Sequence, residues 1–334
     1  GVVLPNPGVT DFRDPKVGWH AGIGRWYLVL AAGDHVQFFS SPDLERWSYE
    51  SSFGHGLGFT EGEWECPDLF ELSLPHGSTR WVLVVHAGRG LSIRYAGAQY
   101  ITGDFDGTRF TPSDSDFRPV DLGHDFYAAQ TWSGTGARRI WIAWASHWAH
   151  SDSPQTSGWA GILTLPRELS LTTHPTKGVA LCQRPVQEFT QLIERELSPG
   201  PIEPTLRSET TAYRITVDSP VPTPIMISLG FGSAGVVTIT RTATDLRINR
   251  GTCDMGAFSD RIDADKTVPL ATRGGTMEII FDHSILEVFA DDGMTVTTDL
   301  LFPREPLASI TCGVDGETAP GSCSIHALTG SIIR

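Results

Sequence analysis

One apolar motif recurs three times in the first half of the chain, and it constrains the fold more than any other feature. The copies are residues 25–30 (RWYLVL), 80–85 (RWVLVV) and 139–144 (RIWIAW), beginning 55 and 59 residues apart. Each follows, across a turn, a second aromatic-bearing segment: residues 12–17 (FRDPKV), 64–69 (WECPDL) and 126–131 (FYAAQT). The first two of these align without a gap, Pro15 on Pro67. In the first copy a third strand follows at residues 36–41 (VQFFSS), closed by a turn at residues 42–47. Strand, turn, strand at such a period is the pattern of a β-propeller blade. A propeller needs at least about four blades to close round its channel, so three copies predict a partial propeller over residues 1–182 whose partner blades lie elsewhere.

Beyond residue 182 the pattern changes. Residues 185–197 (PVQEFTQLIEREL) carry apolar side chains at 186, 189, 192, 193 and 197, close to helical spacing, and stop at Ser198-Pro199-Gly200-Pro201. This predicts a helical linker over residues 183–200. Alternating strands resume at residues 213–217, 236–240, 277–281 and 286–289, separated by turn clusters, which predicts a β-sandwich over residues 201–334. The fold class is therefore all-β. A content of 35 Gly and 22 Pro without a collagen period suits many short strands joined by turns.

Charge narrows the partners. Thirty-nine acidic residues against 25 basic ones leave a net charge of −14, and no Lys/Arg cluster offsets it, so neither nucleic acid nor an anionic membrane is an expected partner. No apolar stretch reaches the roughly 18 residues of a bilayer span. Residues 1–8 (GVVLPNPG) have neither the basic start nor the apolar core of a signal peptide and read as a loop from the middle of a longer sequence. The five cysteines are too scattered for a disulfide framework or a zinc site, although Cys312 and Cys323, flanking a Gly/Pro-rich turn, could pair in an oxidising compartment. His147 and His150 stand three apart with no third ligand in sight, so no metal is expected. No cofactor is implied either.

Asp14 and Glu65 occupy equivalent places on the innermost strands of neighbouring blades, give or take one residue, so both side chains could project into the central funnel. Each sits in an apolar and aromatic run where an unpaired charge is expensive. Two converging carboxylates are what glycosidic bond cleavage requires.

Those residues also carry a resemblance. Phe12-Arg13-Asp14-Pro15 and Trp64-Glu65-Cys66-Pro67-Asp68 resemble the Arg-Asp-Pro and Glu-Cys motifs of glycoside hydrolase family 32, the invertases, levanases, inulinases and related fructosyltransferases. The likeness continues through Asp121-Leu122-Gly123-His124-Asp125-Phe126-Tyr127-Ala128, Trp144-Ala145-Ser146-His147-Trp148 and Leu165-Pro166-Arg167-Glu168-Leu169. It ends in residues 282–289 (DHSILEVF), Asp292-Gly293 and Phe302-Pro303. The resemblance implies a five-bladed propeller followed by a β-sandwich, with blades three to five in this sequence, and a retaining cleavage of β-fructofuranosidic bonds in sucrose or fructans. It makes Glu65 the general acid/base, Asp14 the carboxylate that stabilises the transition state, and Arg13 a ligand of fructosyl hydroxyls. Cys66 would help set the environment of Glu65. His124 and Asp125 stay open between blade-turn residues and sugar ligands, and Trp148 between core filler and a sugar-facing platform. Asp282 reads as structural and Asp291-Asp292-Gly293 as a hairpin turn.

The departure lies in the nucleophile. The family's Asn-Asp-Pro-Asn-Gly motif on the first blade does not occur here, and Leu4-Pro5-Asn6-Pro7-Gly8 lacks its Asp. The nucleophile is thus expected outside this chain, on an N-terminal segment or second chain that supplies blades one and two. The fragment alone is then expected to be inactive. A fructosyltransferase, a non-catalytic fructan-binding protein and a truncated frame with no function of its own remain as alternatives. An enzyme acting on polymeric fructan is expected to be extracellular.

Overall fold

The computed structural model describes residues 1–60, 62–87, 97–148, 150–151, 156, 159–198, 205–219, 224–254, 263–272, 275–313 and 322–329. The three repeats form three antiparallel sheets. The first is β1 (Phe12–His20), β2 (Arg25–Ala32), β3 (Val36–Ser41) and β4 (Ser48–Phe53), paired in that order. The second is β5 (Trp64–Ser73), β6 (Thr79–Ala87), β7 (Ala98–Phe105) and β8 (Phe110–Pro112), with β9 (Arg118–Pro119) also on β7. The third is β10 (Tyr127–Thr131), β11 (Arg139–Trp144), β12 (Arg167–His174) and β13 (Gly178–Pro185). The recurrent apolar runs are the second strands β2, β6 and β11; β2 and β6 are buried on both faces, while Ile142 and Trp144 of β11 are half-buried. Tyr27, Val29 and Phe38 of the first sheet pack against Leu69, Leu83 and Val85 of the second. Phe70, Val82 and Val84 on the second sheet's other face meet Trp141, Ala143 and Leu171 of the third. The face-to-face stacking is that of blades.

The expected helix is shorter than predicted and of the 3-10 type. Strand β13 runs to Pro185, a 3-10 helix of about two turns covers Gln187–Leu192, and Ile193–Ser198 is a strand. Phe189 buries itself beside Val186 and Ile193, so the apolar spacing anchors this short helix. The register slips after Ile193, so Ile193 packs with Phe189 and Leu328 while Leu197 packs against the core between the sheets, and pairing of Ile193 with Leu328 captures the segment as the edge of a sheet. Helical structure in the expected linker is therefore confined to Gln187–Leu192, and residues 199–200 lie outside the described residues.

Two six-stranded antiparallel sheets make the second half. One runs, in spatial order, Ile193–Ser198, Ser322–Leu328, Ala212–Ser219, Gly275–Asp282, Ile285–Ala290 and Thr295–Leu300. The other runs Thr205–Arg207, Ser309–Gly313, Ile225–Gly230, Val236–Arg241, Asp245–Asn249 and Asp265–Pro269. Their inner faces share one core that includes Ile215, Ile227, Ile239, Ile279 and Val288. Cys312 and Cys323 face each other across it from opposite sheets, sulfurs 2.9 Å apart. Asp291-Asp292-Gly293 does connect two antiparallel strands, as a 3-10 turn with Asp291 and Asp292 left-handed.

The two halves meet through buried charge. Arg167 of β12, with no exposed side-chain surface, donates to Asp121, Gln183, Glu287 and Thr298. The loop at residues 121–125 lies along the sandwich strand Thr295–Leu300. Leu122 and Asp125 donate main-chain bonds to Val296 and Thr298, while Thr298 and Leu300 return bonds to the carboxylates of Asp121 and Asp125. Gly123 permits the approach, because a Cβ there would sit 2.0 Å from the Thr298 carbonyl oxygen. The loop thereby covers a sheet edge that would otherwise be open. Removing one partner of a buried ion pair strands the others, so Arg167→Ala is expected to cost about 3 to 5 kcal/mol in urea unfolding. A loss under about 1 kcal/mol would show that Asp121 and Glu287 find other partners.

Candidate active site

Each innermost strand contains the same irregularity. The register of β1 on β2 slips between Arg13 and Lys16, that of β5 on β6 between Glu65 and Asp68, and that of β10 on β11 between Tyr127 and Gln130. At each slip one residue other than glycine is left-handed: Asp14 (φ 57°), Cys66 (φ 46°) and Ala128 (φ 53°). These are β-bulges, where an extra residue leaves the ladder and neighbouring side chains are re-aimed. Pro15 and Pro67 follow the first two, where the ladder needs no N–H.

The bulges resolve the one-residue offset between Asp14 and Glu65. By position, Arg13, Glu65 and Tyr127 correspond, and so do Asp14, Cys66 and Ala128. Both sets converge. An Arg13 guanidinium nitrogen lies 3.2 Å from Glu65 Oε1, and Tyr127 Oη donates to Glu65 Oε2 at 2.5 Å. Arg13 also pairs with Asp11, and chiefly that bond raises its pKa. Asp14 Oδ2 accepts from the Cys66 main-chain N–H at 2.9 Å and faces the Cys66 thiol at 3.6 Å. Burial, with the neighbouring Asp14 and Glu65 carboxylates, pushes that thiol up to about 12. Cys66 therefore stays a thiol and orients Asp14 directly, rather than serving Glu65 alone.

Beneath this layer lies a second. Lys16 Nζ sits 3.1 Å from Asp68 and donates to Gln130 Oε1 and the Thr131 carbonyl, while Thr131 N–H donates to Asp68 at 2.7 Å. Lys16, Asp68 and Gln130 are the residues at which pairing resumes after each bulge. A cavity of about 720 Å³ touches Lys16 and Asp68 and is walled by Trp19, Trp26 and Trp132, without reaching Glu65.

The aromatic wall of the cleft is Tyr127, Trp144 and Trp148, in edge-to-face contacts 5.4 to 6.4 Å between centroids. Trp148 is thus half-buried beside the tyrosine that holds Glu65. Burial raises the Tyr127 pKa, and the bond to Glu65 adds to this, so the phenol remains a donor. Behind it His86, fully buried, accepts from the Ala128 N–H at 3.2 Å and lies edge-on to Tyr127.

His124 and Asp125 do not join the cleft. His124 Nδ1 lies 3.0 Å from Asp299 of the sandwich, and Asp125 binds His150 at 2.7 Å and the Leu300 N–H. Both are buried in the contact between the halves. Tyr127, Lys16, Asp68 and Gln130 escaped the sequence reading, although the repeat alignment that set Asp14 beside Glu65 contained all of them.

Comparison with known proteins bears on the family and the fold. The model of the N-terminal domain of glycosyl hydrolases family 32 matches residues 1–185, and that of the family's C-terminal region matches residues 190–327. The levanase of Bacillus subtilis (strain 168) is 34% identical over 98% of this chain and 51% of its own length. The extracellular exo-inulinase of Meyerozyma guilliermondii is 29% identical over 87% of this chain and 62% of its own. The chain thus spans about half the length of the curated relatives it matches. A fructofuranosidase structure from Schwanniomyces occidentalis superposes with a TM-score of 0.87 at 24% identity, covering 99% of this chain and 72% of that one. The exo-inulinase from Aspergillus awamori gives 0.85 at 25% identity, covering 98% and 70%.

The buried imidazole behind Tyr127 ties stability to pH. Burial pushes His86 down from 6.5 to about 3, so in the fold it stays neutral. Above 6.5 it is neutral folded or unfolded and adds no pH dependence. Below 6.5 the unfolded chain takes up a proton that the fold refuses, costing about 1.4 kcal/mol per pH unit. His86→Gln should flatten the loss of stability between pH 6 and about 4, measured by denaturant unfolding. Parallel curves for the two proteins would mean that His86 is protonated in the fold.

Proposed function

Since the chain belongs to glycosyl hydrolase family 32, we propose that it is the acid/base-bearing part of a retaining enzyme that cleaves β-fructofuranosidic bonds in sucrose or fructans such as levan and inulin. The observation that carries this reading is the grip on Glu65. Arg13 faces one of its oxygens, Tyr127 fills the other, and Asp14 stands on the adjoining bulge. In the first step Glu65 gives its proton to the leaving oxygen as the bond to the anomeric carbon breaks. An aspartate outside these 334 residues forms the covalent bond to that carbon. In the second step Glu65 takes a proton from water, whose oxygen displaces the aspartate. Asp14 accepts hydrogen bonds from sugar hydroxyls that strengthen as positive charge develops at the anomeric carbon, and Arg13 donates to its neighbours. Trp148 offers an aromatic face on the same side. The extracellular exo-inulinases among the relatives support action outside the cell.

Without the third carboxylate the covalent step has no nucleophile, so the 334-residue chain alone is expected to release no fructose from sucrose, levan or inulin. Joined to, or mixed with, a segment carrying an Asn-Asp-Pro-Asn-Gly motif, it should become active. Clear release by the chain alone would mean that one of its own acids is the nucleophile. In the active assembly Glu65→Gln should lower turnover about 100- to 10,000-fold, less on substrates with good leaving groups. Asp14→Asn should reduce kcat more than it raises KM; an equal loss in both would make Asp14 an ordinary binding residue.

A further inference from the structure

Away from Glu65, two segments beside the sheet β1–β4 bring together three side chains of a different chemistry. We propose that Asp34, His35 and His55 form a binding site for one divalent cation of the zinc class at the rim of the sheet β1–β4, between the β2–β3 turn and the loop after β4. The three donor atoms lie within 4.8 Å of one another. Nδ1 of each histidine is 3.1 Å from the same oxygen, Asp34 Oδ1. Zinc bonds of about 2.0 to 2.2 Å put the edges of a tetrahedron near 3.3 Å, so these two edges already have the right length. Two nitrogens and one carboxylate oxygen suit zinc and its neighbours; calcium and magnesium need more oxygens. Solvent takes the fourth position.

The imidazoles stack at 3.8 Å between centroids with a 27° tilt, so one ring must turn for both lone pairs to meet at one ion. His55 is the one free to do so, its side chain being 60% exposed against 11% for His35. His35 is held from behind by Gln37, whose side-chain nitrogen is 3.4 Å from Nε2. A glutamine amide can present either its nitrogen or its oxygen, and so can serve the tautomer that frees Nδ1 for metal.

Both halves of the triad rest on Trp64, the buried residue before Glu65. The turn bearing Asp34 and His35 does so through the Trp64 N–H, which donates to the Gly33 carbonyl at 2.7 Å. The loop bearing His55 does so through Gly54 (φ +116°), where a Cβ would fall 2.3 Å from the Trp64 ring. The donors are therefore placed by a rigid support rather than by chance contact of surface chains. A bound ion would cross-link the turn and the loop on either side of that support.

Titration calorimetry with zinc ion on the chelator-treated full chain should show one equivalent bound. His55→Ala and Asp34→Asn should each weaken it at least about tenfold, while His76→Ala, a histidine outside the cluster, leaves it unchanged. Cobalt(II) should give the intense visible bands of a four-coordinate site in the unaltered chain, a readout that needs no variant. Absence of stoichiometric zinc binding, equal binding by the His55→Ala protein, or a preference for calcium over zinc would each overturn the proposal. None of these outcomes depends on glycosidase activity, so the site and the proposed function stand or fall separately.

Discussion

One extra residue in the innermost strand of each blade is the constraint on which the cleft depends. A regular strand alternates its side chains, so Arg13 and Asp14, or Glu65 and Cys66, would point to opposite faces. The bulge breaks the alternation and lets two consecutive residues serve the same space. Its cost is a left-handed residue with a Cβ at positions 14, 66 and 128, about 1 to 2 kcal/mol each. The regular strands on either side, and the bonds the re-aimed groups make to one another, offset it. Asp14 is tied to Cys66, Glu65 to Arg13 and Tyr127, and the Ala128 N–H to His86. Strain held by its surroundings at matching positions in all three blades is a mark of a built site.

A second set of buried charges fixes the platform beneath it. Arg167, Asp121 and Glu287 come from three separate stretches of sequence and meet with no exposure to solvent. Lys266, His124 and Asp299 form a comparable group nearby. Such groups contribute little net stability against an apolar filling, because desolvation cancels much of the attraction. What they do impose is geometry, since a misdocked sandwich would leave several charges unpaired. The sandwich then acts on the cleft indirectly, by holding the loop at residues 121–125 from which β10 and Tyr127 depart.

Much of this was legible in the sequence. The three apolar runs are the second strands of three sheets, and the alternating segments after residue 205 are strands of a sandwich. Asp14, Glu65 and Arg13 do come together. What pattern alone could not supply is the bulge, because alignment of 12–17 with 64–69 shows equivalence of residues but not the direction in which each points. Tyr127 went unread because its segment lacks the Pro that anchored the other two. His124 and Asp125 stayed open between two readings for a related reason: a polar loop after a strand looks the same whether it faces a substrate or a second domain. The helix expected at 185–197 is cut to Gln187–Leu192 because a short apolar run satisfies both periods, and the open edge of a sheet takes the rest as a strand.

The central claim is that Glu65 alone moves the proton in both steps of a reaction whose nucleophile lies outside this chain. The most direct measurement uses the assembled enzyme with Glu65→Ala and an activated fructoside, in the presence of azide. Removal of the base should stall the covalent intermediate, and azide, which needs no deprotonation, should accelerate turnover and yield fructosyl azide of retained configuration. Turnover near that of the unaltered enzyme, or no azide product beside a slow rate, would contradict it.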